Sequence, residues 1–535
     1  MKTTKKTQRQ TETRQSLTRQ SLLDKETGTV YKDHGGKTRV CLVYPNTYRT
    51  GMSSLGFRLV YGMLNAREDV VCERAFLPES GGGERIYTME SKKMPSEFDI
   101  IAFSISYEND FPNVVKILRA SGIPPYARDR GVRYPLLIMG GPCAFMNPEP
   151  IADFFDVIVV GEAEAVLDKF IDICNKSGDR SKLLEALKGV EGFYIPSGHD
   201  VNCRVKRRFL KDMASPLIGQ QLITPHTEFS SMYLIEAMRG CPWKCRFCAI
   251  SGIYGVPRTR PLTTMREEID RARGLCTAAK IGVIGASLTD YPHIGQLLCI
   301  EGVEFSISSL RASKKAAEIT ALIKTKQSLS IAPEAGSKRL RAVINKRITY
   351  EDIIETSRLV LMRGIAMLRL YFMIGLPTET DEDIEEMIAL VKEIRGLSKA
   401  GRIVLSVSAF VPKPFTPFQW HPMEVSVVIL RRLKQLKDGL KKENVKVIHD
   451  QLKYAYTEGL LAMGDRRLSP VIESIADGLN WKKACELHSI EPSEYIFFEK
   501  HYDEPLPWDF IDNGIEKERL WREYSLSTAR QICLR

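Results

Sequence analysis

The stretch RGCPWKCRFCAISGIYG, residues 239–255, places three cysteines within eight residues. They are Cys241, Cys245 and Cys248, at intervals of four and three residues, with aromatic side chains between them. The other nine cysteines of the chain stand singly. Three thiols at such short spacing indicate a site for a soft metal.

A single metal ion and a disulfide both explain the three thiols poorly. A structural zinc site normally has four closed ligands in paired knuckles, and this stretch contains no histidine. A disulfide would leave one thiol over in a chain that we expect to work in a reducing compartment. A four-iron cluster on three thiolates fits best, and it leaves one iron open to a ligand that is not protein.

The cysteines follow the first of six apolar segments that alternate with stretches of helical length. The segments are YLIEAMRG, IGVIGAS, VEFSISS, SLSIAPEAGS, MLRLYFMIGLP and RIVLSVSAFVPKP. Short, almost fully apolar runs are typical of parallel strands that are covered on both faces. We predict a partial (β/α)6 barrel over residues 229–424, with its chemistry at the C-terminal ends of the strands.

A second set of strand-like segments lies nearer the N-terminus: TRVCLVYPN, FDIIAFSIS, YPLLIMGG and FDVIVVG. Helical periodicity between them predicts an open, doubly wound, Rossmann-like α/β domain over residues 38–177. We assign residues 1–37 to a disordered basic tail, 178–228 to a connecting region and 425–535 to a helical C-terminal region.

The CxxxCxxC pattern, with Phe247 directly before its last cysteine, resembles the radical S-adenosylmethionine (radical SAM) superfamily. The downstream segments IAPEAGSKRLRAVINK, YFMIGLPTET and FVPKPFTPF resemble it too. In that superfamily the amino and carboxylate groups of S-adenosylmethionine chelate the open iron of a [4Fe–4S] cluster. An electron from the cluster then cleaves the cofactor to methionine and a 5′-deoxyadenosyl radical. The resemblance implies the same reaction here, on an unknown substrate, with Cys241, Cys245 and Cys248 as the cluster ligands.

The same resemblance assigns three residues to S-adenosylmethionine: Phe247 beside the adenine, and Ser287 and Glu334 at strand ends. The second strand of the superfamily usually ends in a Gly-Gly-Glu-Pro-like stretch, where this chain has GASLTDYP. Ser287, Thr289 or Asp290 would replace the missing glutamate. For Glu334 a second interpretation stays open, a carboxylate that caps the following helix.

The N-terminal domain resembles the cobalamin-binding-like domain that precedes many radical SAM barrels, through VYPNTYRTGMSSLGFRLVYGMLN and GGPCAFMNPEPIADFFDVIVVGEAEAVL. Many such domains bind cobalt through the histidine of an Asp-x-His-x-x-Gly loop, but residues 38–177 contain no histidine. The resemblance therefore allows cobalamin only without a histidine ligand, and a degenerate domain that shapes the substrate path is the alternative. Gly140, Gly141 and Gly161 either admit a ligand or make tight turns.

Composition and charge bear on location and partners. The net charge is +11, and the first twenty residues supply a net five of it. The chain has no apolar run that could span a bilayer, and its N-terminus lacks the apolar core of a secretory signal. We therefore expect a cytoplasmic protein without a membrane partner. The resemblance also implies a partner that supplies electrons, a reductant such as flavodoxin or ferredoxin.

Three functions stay open at this point. The first is a radical enzyme, acting by hydrogen abstraction or by methyl or methylthio transfer, with a cobalamin-dependent methyltransferase as one form. The second is an iron–sulfur electron carrier, although carriers normally close the cluster with four cysteines. The third is RNA modification, with phosphate contacts from the basic tail and from one helix. The basic side chains of that helix, which a solvated amphipathic helix also explains, are Arg431, Arg432, Lys434, Lys437, Lys441 and Lys442.

Overall fold

The computed structural model of the chain describes residues 18–79, 84–198, 204–215, 221–275, 280–307, 309–323 and 328–529. Its strands form two large parallel arrangements, an open sheet near the N-terminus and a longer series in the middle of the chain. Helices connect most neighbouring strands, since a parallel pair needs a crossover of about a dozen residues. The predicted α/β class is confirmed.

The first sheet contains six strands: β1 Thr38–Tyr44, β2 Val70–Phe76, β3 Ile100–Ser104, β4 Leu136–Gly140, β5 Val157–Val159 and β6 Phe193–Tyr194. Their spatial order is β2-β1-β3-β4-β5-β6, and all neighbours are parallel except β5 and β6. The strand order reverses between β1 and β3. Open sheets of this kind bind ligands at such a switch point, beyond the carboxyl ends of the strands.

Helices cover both faces of this sheet, as is usual for parallel strands. The strands are therefore buried on both sides, and all seven residues of β2 are buried. The helices are Tyr48–Ser53, Leu55–Ala66, Phe111–Ala120, Pro142–Met146, Ala163–Ser177 and Arg180–Leu187. The last helix and β6 lie in the predicted connecting region, 178–228, yet β6 pairs with β5. The predicted boundary after residue 177 is therefore wrong, because a two-residue strand leaves no periodic pattern in the sequence.

The remaining strands are β7 Val205–Lys206, β8 Tyr233–Glu236, β9 Met238–Arg239, β10 Arg258–Thr259, β11 Lys280–Ile284, β12 Glu304–Ser306, β13 Ser309–Leu310, β14 Ser328–Glu334, β15 Met367–Ile374, β16 Arg402–Ala409, β17 Val445–His449 and β18 Ile511–Asp512. Those of the barrel pair in two parallel sheets, β12-β11-β8 and β13-β14-β15-β16-β17. Since β12 and β13 follow each other directly along the chain, the two sheets continue one another as an incomplete barrel.

The barrel strands bury one face under helices and leave the other partly open. In β15 the buried side chains are Leu368, Leu370, Phe372 and Ile374. Those that keep solvent contact alternate with them: Met367, Arg369, Tyr371 and Met373. A closed barrel fills its interior with packed side chains, so the half-open face leaves room for ligands. The helices of this region are Ile250–Tyr254, Leu262–Leu275, Ile294–Leu298, Lys314–Leu322, Lys338–Val343, Tyr350–Met362 and Asp381–Gly396.

Residues 425–529, the described part of the C-terminal region, are largely helical. Its helices are Ser426–Leu440, Leu452–Met463, Ser469–Ala476, Trp481–Leu487, Ser493–Ile496 and Lys517–Ala529. It also contributes β17, which pairs with β16 and adds a strand that the sequence analysis missed. The segment Val-Lys-Val-Ile-His is short and lies between two charged helical patterns. Its strand pattern was therefore not recognised in the sequence.

Residues 18–37 are ordered, so the predicted disordered tail is wrong from Thr18 onward. Helix Arg19–Leu23 buries both of its leucines against the first domain. The Glu26 carboxylate is fully buried and lies 2.7 Å from the Arg74 guanidinium on β2. These contacts hold the segment on the sheet despite its polar composition. The rest of the predicted tail, residues 1–17, lies outside the described residues.

Candidate active site

The cysteine loop follows β9, which begins two residues after the C-terminal end of β8, and is anchored by Arg246. The Arg246 backbone N–H donates to the Ile344 carbonyl at 3.0 Å. Its guanidinium donates to the Val343 carbonyl at 2.7 Å and forms an ion pair with Glu523 at 2.9 Å. Because Val343 ends helix Lys338–Val343, the cation also meets the negative end of that helix dipole. The loop is thus tied both to the barrel and to the C-terminal helix.

The three thiols of the loop line one cavity of about 710 Å³. All three are free and partly exposed. Burial raises the pKa of each thiol, to about 12 for Cys248. Near Cys245 the positive charges of Lys346 and Arg311 act in the opposite direction and favour the thiolate.

The donor set fits a multi-iron cluster. Among the described residues, no three or more His, Cys, Asp or Glu side chains are arranged to hold one metal ion. In a four-iron cluster each thiolate binds a different iron, so the sulfurs need not converge on one point. Thiolates are also the ligands that such clusters use. The three residues present therefore fit a [4Fe–4S] cluster with one open iron.

Arg311, just after β13, is a site residue that the sequence analysis missed. Its guanidinium lies 3.7 Å from the Trp243 ring centroid, and its positive charge favours the thiolate form of Cys245. It also donates to the carbonyls of Lys346 and Arg347. The available signal was its position, a cation directly behind the C-terminal end of a barrel strand, where chemistry is expected.

Ser287 and Asp290 connect the end of β11 to the cysteine loop. Ser287 Oγ donates to Asp290 Oδ2 at 2.6 Å, and Trp243 Nε1 donates to the same oxygen at 2.6 Å. The third candidate, Thr289, accepts the Arg311 backbone N–H at 3.0 Å instead. The structure therefore brings the Ser287–Asp290 pair to the thiols and leaves Thr289 in a backbone contact.

Glu334 ends β14 in a strained conformation. Its φ is +67°, in the left-handed region, and the pairing with β15 shifts register between Ile331 and Glu334. A non-glycine residue in this region costs about 1–2 kcal/mol, and such strain concentrates at functional sites. The carboxylate accepts a hydrogen bond from Lys346 Nζ at 3.0 Å.

The alternative role of Glu334 as a helix cap is wrong. Ser337 caps helix Lys338–Val343, because its Oγ accepts the Leu340 backbone N–H at 3.0 Å. Glu334 therefore does not cap the helix, and its carboxylate pairs with Lys346. The Lys346 ammonium lies 6.0 Å from the Phe247 ring centroid. Phe247 itself is partly buried in the loop.

A second cavity, of about 400 Å³, runs along one face of the first sheet. Its walls are apolar side chains of the sheet and of helices Leu55–Ala66 and Ala163–Ser177. They include Leu42, Ala102, Ile138, Leu59, Met63, Leu167 and Phe170. Serines line it as well: Ser53, Ser54, Ser104 and Ser106. We call this cavity the apolar slot.

The three glycines behind the strands have different roles. A Cβ on Gly140 would meet open space, and this residue lines the apolar slot. A Cβ on Gly141 would lie 2.5 Å from the Ile105 carbonyl oxygen, and one on Gly161 would lie 2.9 Å from the Arg208 carbonyl oxygen. Only Gly140 therefore leaves space for a ligand, whereas the other two make close contacts within the chain.

The apolar slot reaches the barrel at a buried ion network. Arg239, 7% exposed, pairs with Glu162 at 2.8 Å, Glu164 at 2.9 Å and Glu236 at 2.7 Å. Because Glu162 and Glu164 belong to the first domain, the network joins that domain to the barrel. Tyr254 lines both the apolar slot and the cysteine cavity, so the two cavities are neighbours.

Comparison with known proteins identifies the family. A model of "Radical SAM proteins, N-terminal" matches residues 56–196, and one of the "Radical SAM superfamily" matches residues 235–391. A relative from Methanocaldococcus jannaschii, "Uncharacterized protein MJ0966", is 32% identical over 442 residues, which cover 81% of this chain and 90% of that protein. The chain belongs to the radical SAM superfamily. This membership confirms the predicted enzyme class and disfavours the electron-carrier alternative.

More distant likenesses agree with this radical SAM assignment. The tRNA-2-methylthio-N(6)-dimethylallyladenosine synthase of Aeromonas hydrophila is 23% identical over 289 residues, which span 49% of this chain and 57% of that enzyme. The structure of the radical SAM methyltransferase TsrM from Kitasatospora setae, with tryptophan and an S-adenosylmethionine analogue bound, aligns with a TM-score of 0.50 at 13% identity. It covers 85% of this chain and 99% of that one, and it shows a shared fold.

Radical SAM membership implies a [4Fe–4S] cluster, S-adenosylmethionine and a reductant. None of the described helices combines the length and the hydropathy that a membrane span requires. The basic helix Ser426–Leu440 offers fewer free cations than the sequence suggested. Arg432 is buried against Glu379 at 3.0 Å, and Arg431 pairs with Asp381 at 2.9 Å.

Proposed function

We propose that Cys241, Cys245 and Cys248 hold the [4Fe–4S] cluster of a radical SAM enzyme, with S-adenosylmethionine over the strand ends beside them. The observation that carries this proposal is the position of the thiols between the cysteine cavity and a group of charged strand-end residues. All nine described cysteines are free thiols, which supports a reducing cytoplasm as the site of action.

The strand-end residues supply both charges that an amino acid group needs. Arg311 and Lys346 complement a carboxylate, and Asp290 and Glu334 complement an ammonium group. Phe247 offers an apolar face beside them. When bound, the cluster and S-adenosylmethionine supply the electron and the cleavable sulfonium. The residues of the chain bind and orient these groups and keep water away from them.

Anaerobic reconstitution tests this proposal. The wild-type protein should take up about four irons and four sulfides per chain and, with dithionite, convert S-adenosylmethionine to 5′-deoxyadenosine and methionine. The single variants Cys241→Ala, Cys245→Ala and Cys248→Ala should lose the cluster. The matched control Cys299→Ala, an exposed cysteine outside the loop, should keep it. Full iron content in a triple variant of the loop would refute the ligand assignment.

A second proposal is that the N-terminal domain binds cobalamin without a histidine ligand and that the enzyme transfers methyl groups. The apolar slot favours it, because the slot begins at the switch point of the sheet and ends beside the cysteine cavity. Its apolar walls suit a flat aromatic base, and its serines suit the polar groups of a large cofactor. Val60, Met63 and Phe170 would contact the base.

Cobalamin uptake tests the second proposal. Gly140→Leu should fill the slot and abolish retention of cobalamin on gel filtration, while the protein keeps its thermal stability. Gly131→Leu is the matched control, because its Cβ also meets open space but lies outside the slot. Equal cobalamin retention by both variants would refute the assignment. S-adenosylhomocysteine as a main product, seen only in the presence of cobalamin, would support methyl transfer.

RNA modification receives less support as a role for this enzyme. The two ion pairs of Arg431 and Arg432 remove two of the six predicted phosphate contacts. The remaining lysines of that helix stay exposed, and retention of RNA at low salt that is lost at high salt would revive the idea.

A further inference from the structure

The rim of the cysteine cavity carries an excess of positive charge. Lys211, Lys244, Arg347 and Arg519 line the cavity, are exposed, and have no ion-pair partner among the described residues. The two other charged lining residues are neutralised. Arg258 pairs with Glu162 at 2.7 Å, and Glu523 pairs with Arg246 at 2.9 Å. We call the four unpaired cations the basic rim.

The basic rim is assembled from distant parts of the chain. Strand β7, which precedes Lys211, pairs with β18, which precedes Arg519. The ion pair between Glu523 and Arg246 then fixes helix Lys517–Ala529 against the cysteine loop, which carries Lys244. Three segments far apart in sequence therefore place Lys211, Lys244 and Arg519 around one opening, and Arg347 adds a cation from a fourth segment.

The thiols have two different sides. Asp290, Arg311 and Glu334 interact with the thiols from the strand ends, and none of the three lines the cysteine cavity. In the proposed function, S-adenosylmethionine occupies that side. The cavity, which all three thiols line, leaves a second approach from the rim.

We propose that the basic rim is the docking surface for an acidic, one-electron donor protein that reduces the cluster. This inference rests on the proposed function, because a radical SAM cluster must gain one electron before it cleaves S-adenosylmethionine. One electron passes from the donor to the cluster, so the donor is oxidised by one electron and no proton or group is transferred. Free cations around a redox site attract a negatively charged partner and speed its arrival.

Charge reversal of the rim tests the inference in the reconstituted full chain. The double variant K211E/R519E changes two rim residues that are not next to a cysteine. The control K434E/K442E makes the same charge change at exposed lysines that do not line the cavity. The measurement is the rate of anaerobic cluster bleaching by reduced flavodoxin, followed by stopped flow at low and at high salt. Photoreduced deazariboflavin, a small uncharged reductant, is run in parallel.

The rim variant should be reduced by flavodoxin roughly tenfold more slowly than the wild type at low salt, with the difference shrinking at high salt. The control variant should match the wild type, and deazariboflavin should reduce all three proteins at similar rates. Equal flavodoxin rates for rim and control variants, or no reduction of the wild type by flavodoxin, would overturn the docking surface. The docking surface would also be overturned if the rim variant lost RNA retention while flavodoxin reduced it at the wild-type rate. Failure to form a cluster, or to cleave S-adenosylmethionine with deazariboflavin, would instead overturn the proposed function.

Discussion

At the scale of single residues, Glu334 connects backbone strain to the proposed chemistry. A left-handed glutamate at a strand end is unfavourable on its own, and the nearby helix cap is Ser337 rather than Glu334. The contact with Lys346 holds the carboxylate beside the cysteine loop. The strain is then explained if the carboxylate binds a ligand there.

Glu334→Gln should keep the cluster but lower the rate of S-adenosylmethionine cleavage by tenfold or more, roughly what one lost charged contact costs. The measurement is 5′-deoxyadenosine formed per cluster, with cluster absorbance recorded on the same sample. Ser337→Ala serves as the control, because it should lose about 1 kcal/mol of stability and keep cleavage per cluster. Unchanged cleavage in Glu334→Gln would remove this residue from the site.

Some residues of the candidate site could be predicted from the sequence, and others could not. Cys241, Cys245 and Cys248 could be predicted, because three thiols at fixed short spacing form a local pattern. Arg311 had only its position behind a strand end as a signal, because its contact with Trp243 depends on the packing of distant strand ends. One arginine among many carries no local signal of that kind.

At the scale of elements, strands with long apolar runs were predictable, whereas short strands and strands between charged helical patterns were not. The apolar sequences of β3, β4 and β15 indicate strands on their own. In contrast, β6 and β17 are strands because they pair with neighbouring strands in the sheet. The segment 18–37 is a similar case. Its order comes from Glu26, which is matched to Arg74, and pairings between distant residues leave no pattern in composition.

The Glu26–Arg74 pair should therefore stabilise the N-terminal domain. Glu26→Gln should lower the free energy of unfolding by about 3 kcal/mol, because it breaks a fully buried ion pair. The check is urea denaturation followed by circular dichroism, with Glu68→Gln as the control, because Glu68 is exposed and forms no ion pair within the described part of the chain. Equal stability of the two variants would contradict the role of this pair.

The same pair predicts an acid dependence. Burial opposes ionisation of Glu26, but the charge and hydrogen bonds of Arg74 outweigh it and lower the pKa of this carboxyl. A lowered folded pKa means that the stabilisation is present above the unfolded pKa and is lost as pH falls through the folded one. The stability of Glu26→Gln should therefore fall less steeply on acidification than that of the wild type.

At the scale of the whole molecule, the two cavities meet where the first domain joins the barrel. Arg239 holds three carboxylates at that junction, two from one domain and one from the other. Tyr254 separates the apolar slot from the cysteine cavity. The overall fold was predictable from the order of strands and helices, but the meeting of the two cavities was not, since it depends on how the domains pack.

Arg239→Met should loosen this junction. It removes the positive charge that pairs with the buried Glu162 carboxylate and with the partly buried Glu164 and Glu236, which should cost about 3 kcal/mol. Thermal unfolding should then show an earlier or separate transition, and limited proteolysis should cut between the domains sooner. Arg273→Met, which removes an exposed ion pair with Asp270, is the control and should change stability by less than about 1 kcal/mol. A single, unshifted transition in Arg239→Met would contradict this role.

The central claim is that three thiolates hold a four-iron cluster whose open iron takes S-adenosylmethionine. Electron–nuclear double resonance of the reduced, reconstituted protein, with S-adenosylmethionine labelled with nitrogen-15 at its amino group, tests it most directly. The account predicts a nitrogen coupling to the cluster in the wild-type protein and in Cys299→Ala. A protein with a full cluster and bound S-adenosylmethionine that shows no such coupling would contradict it.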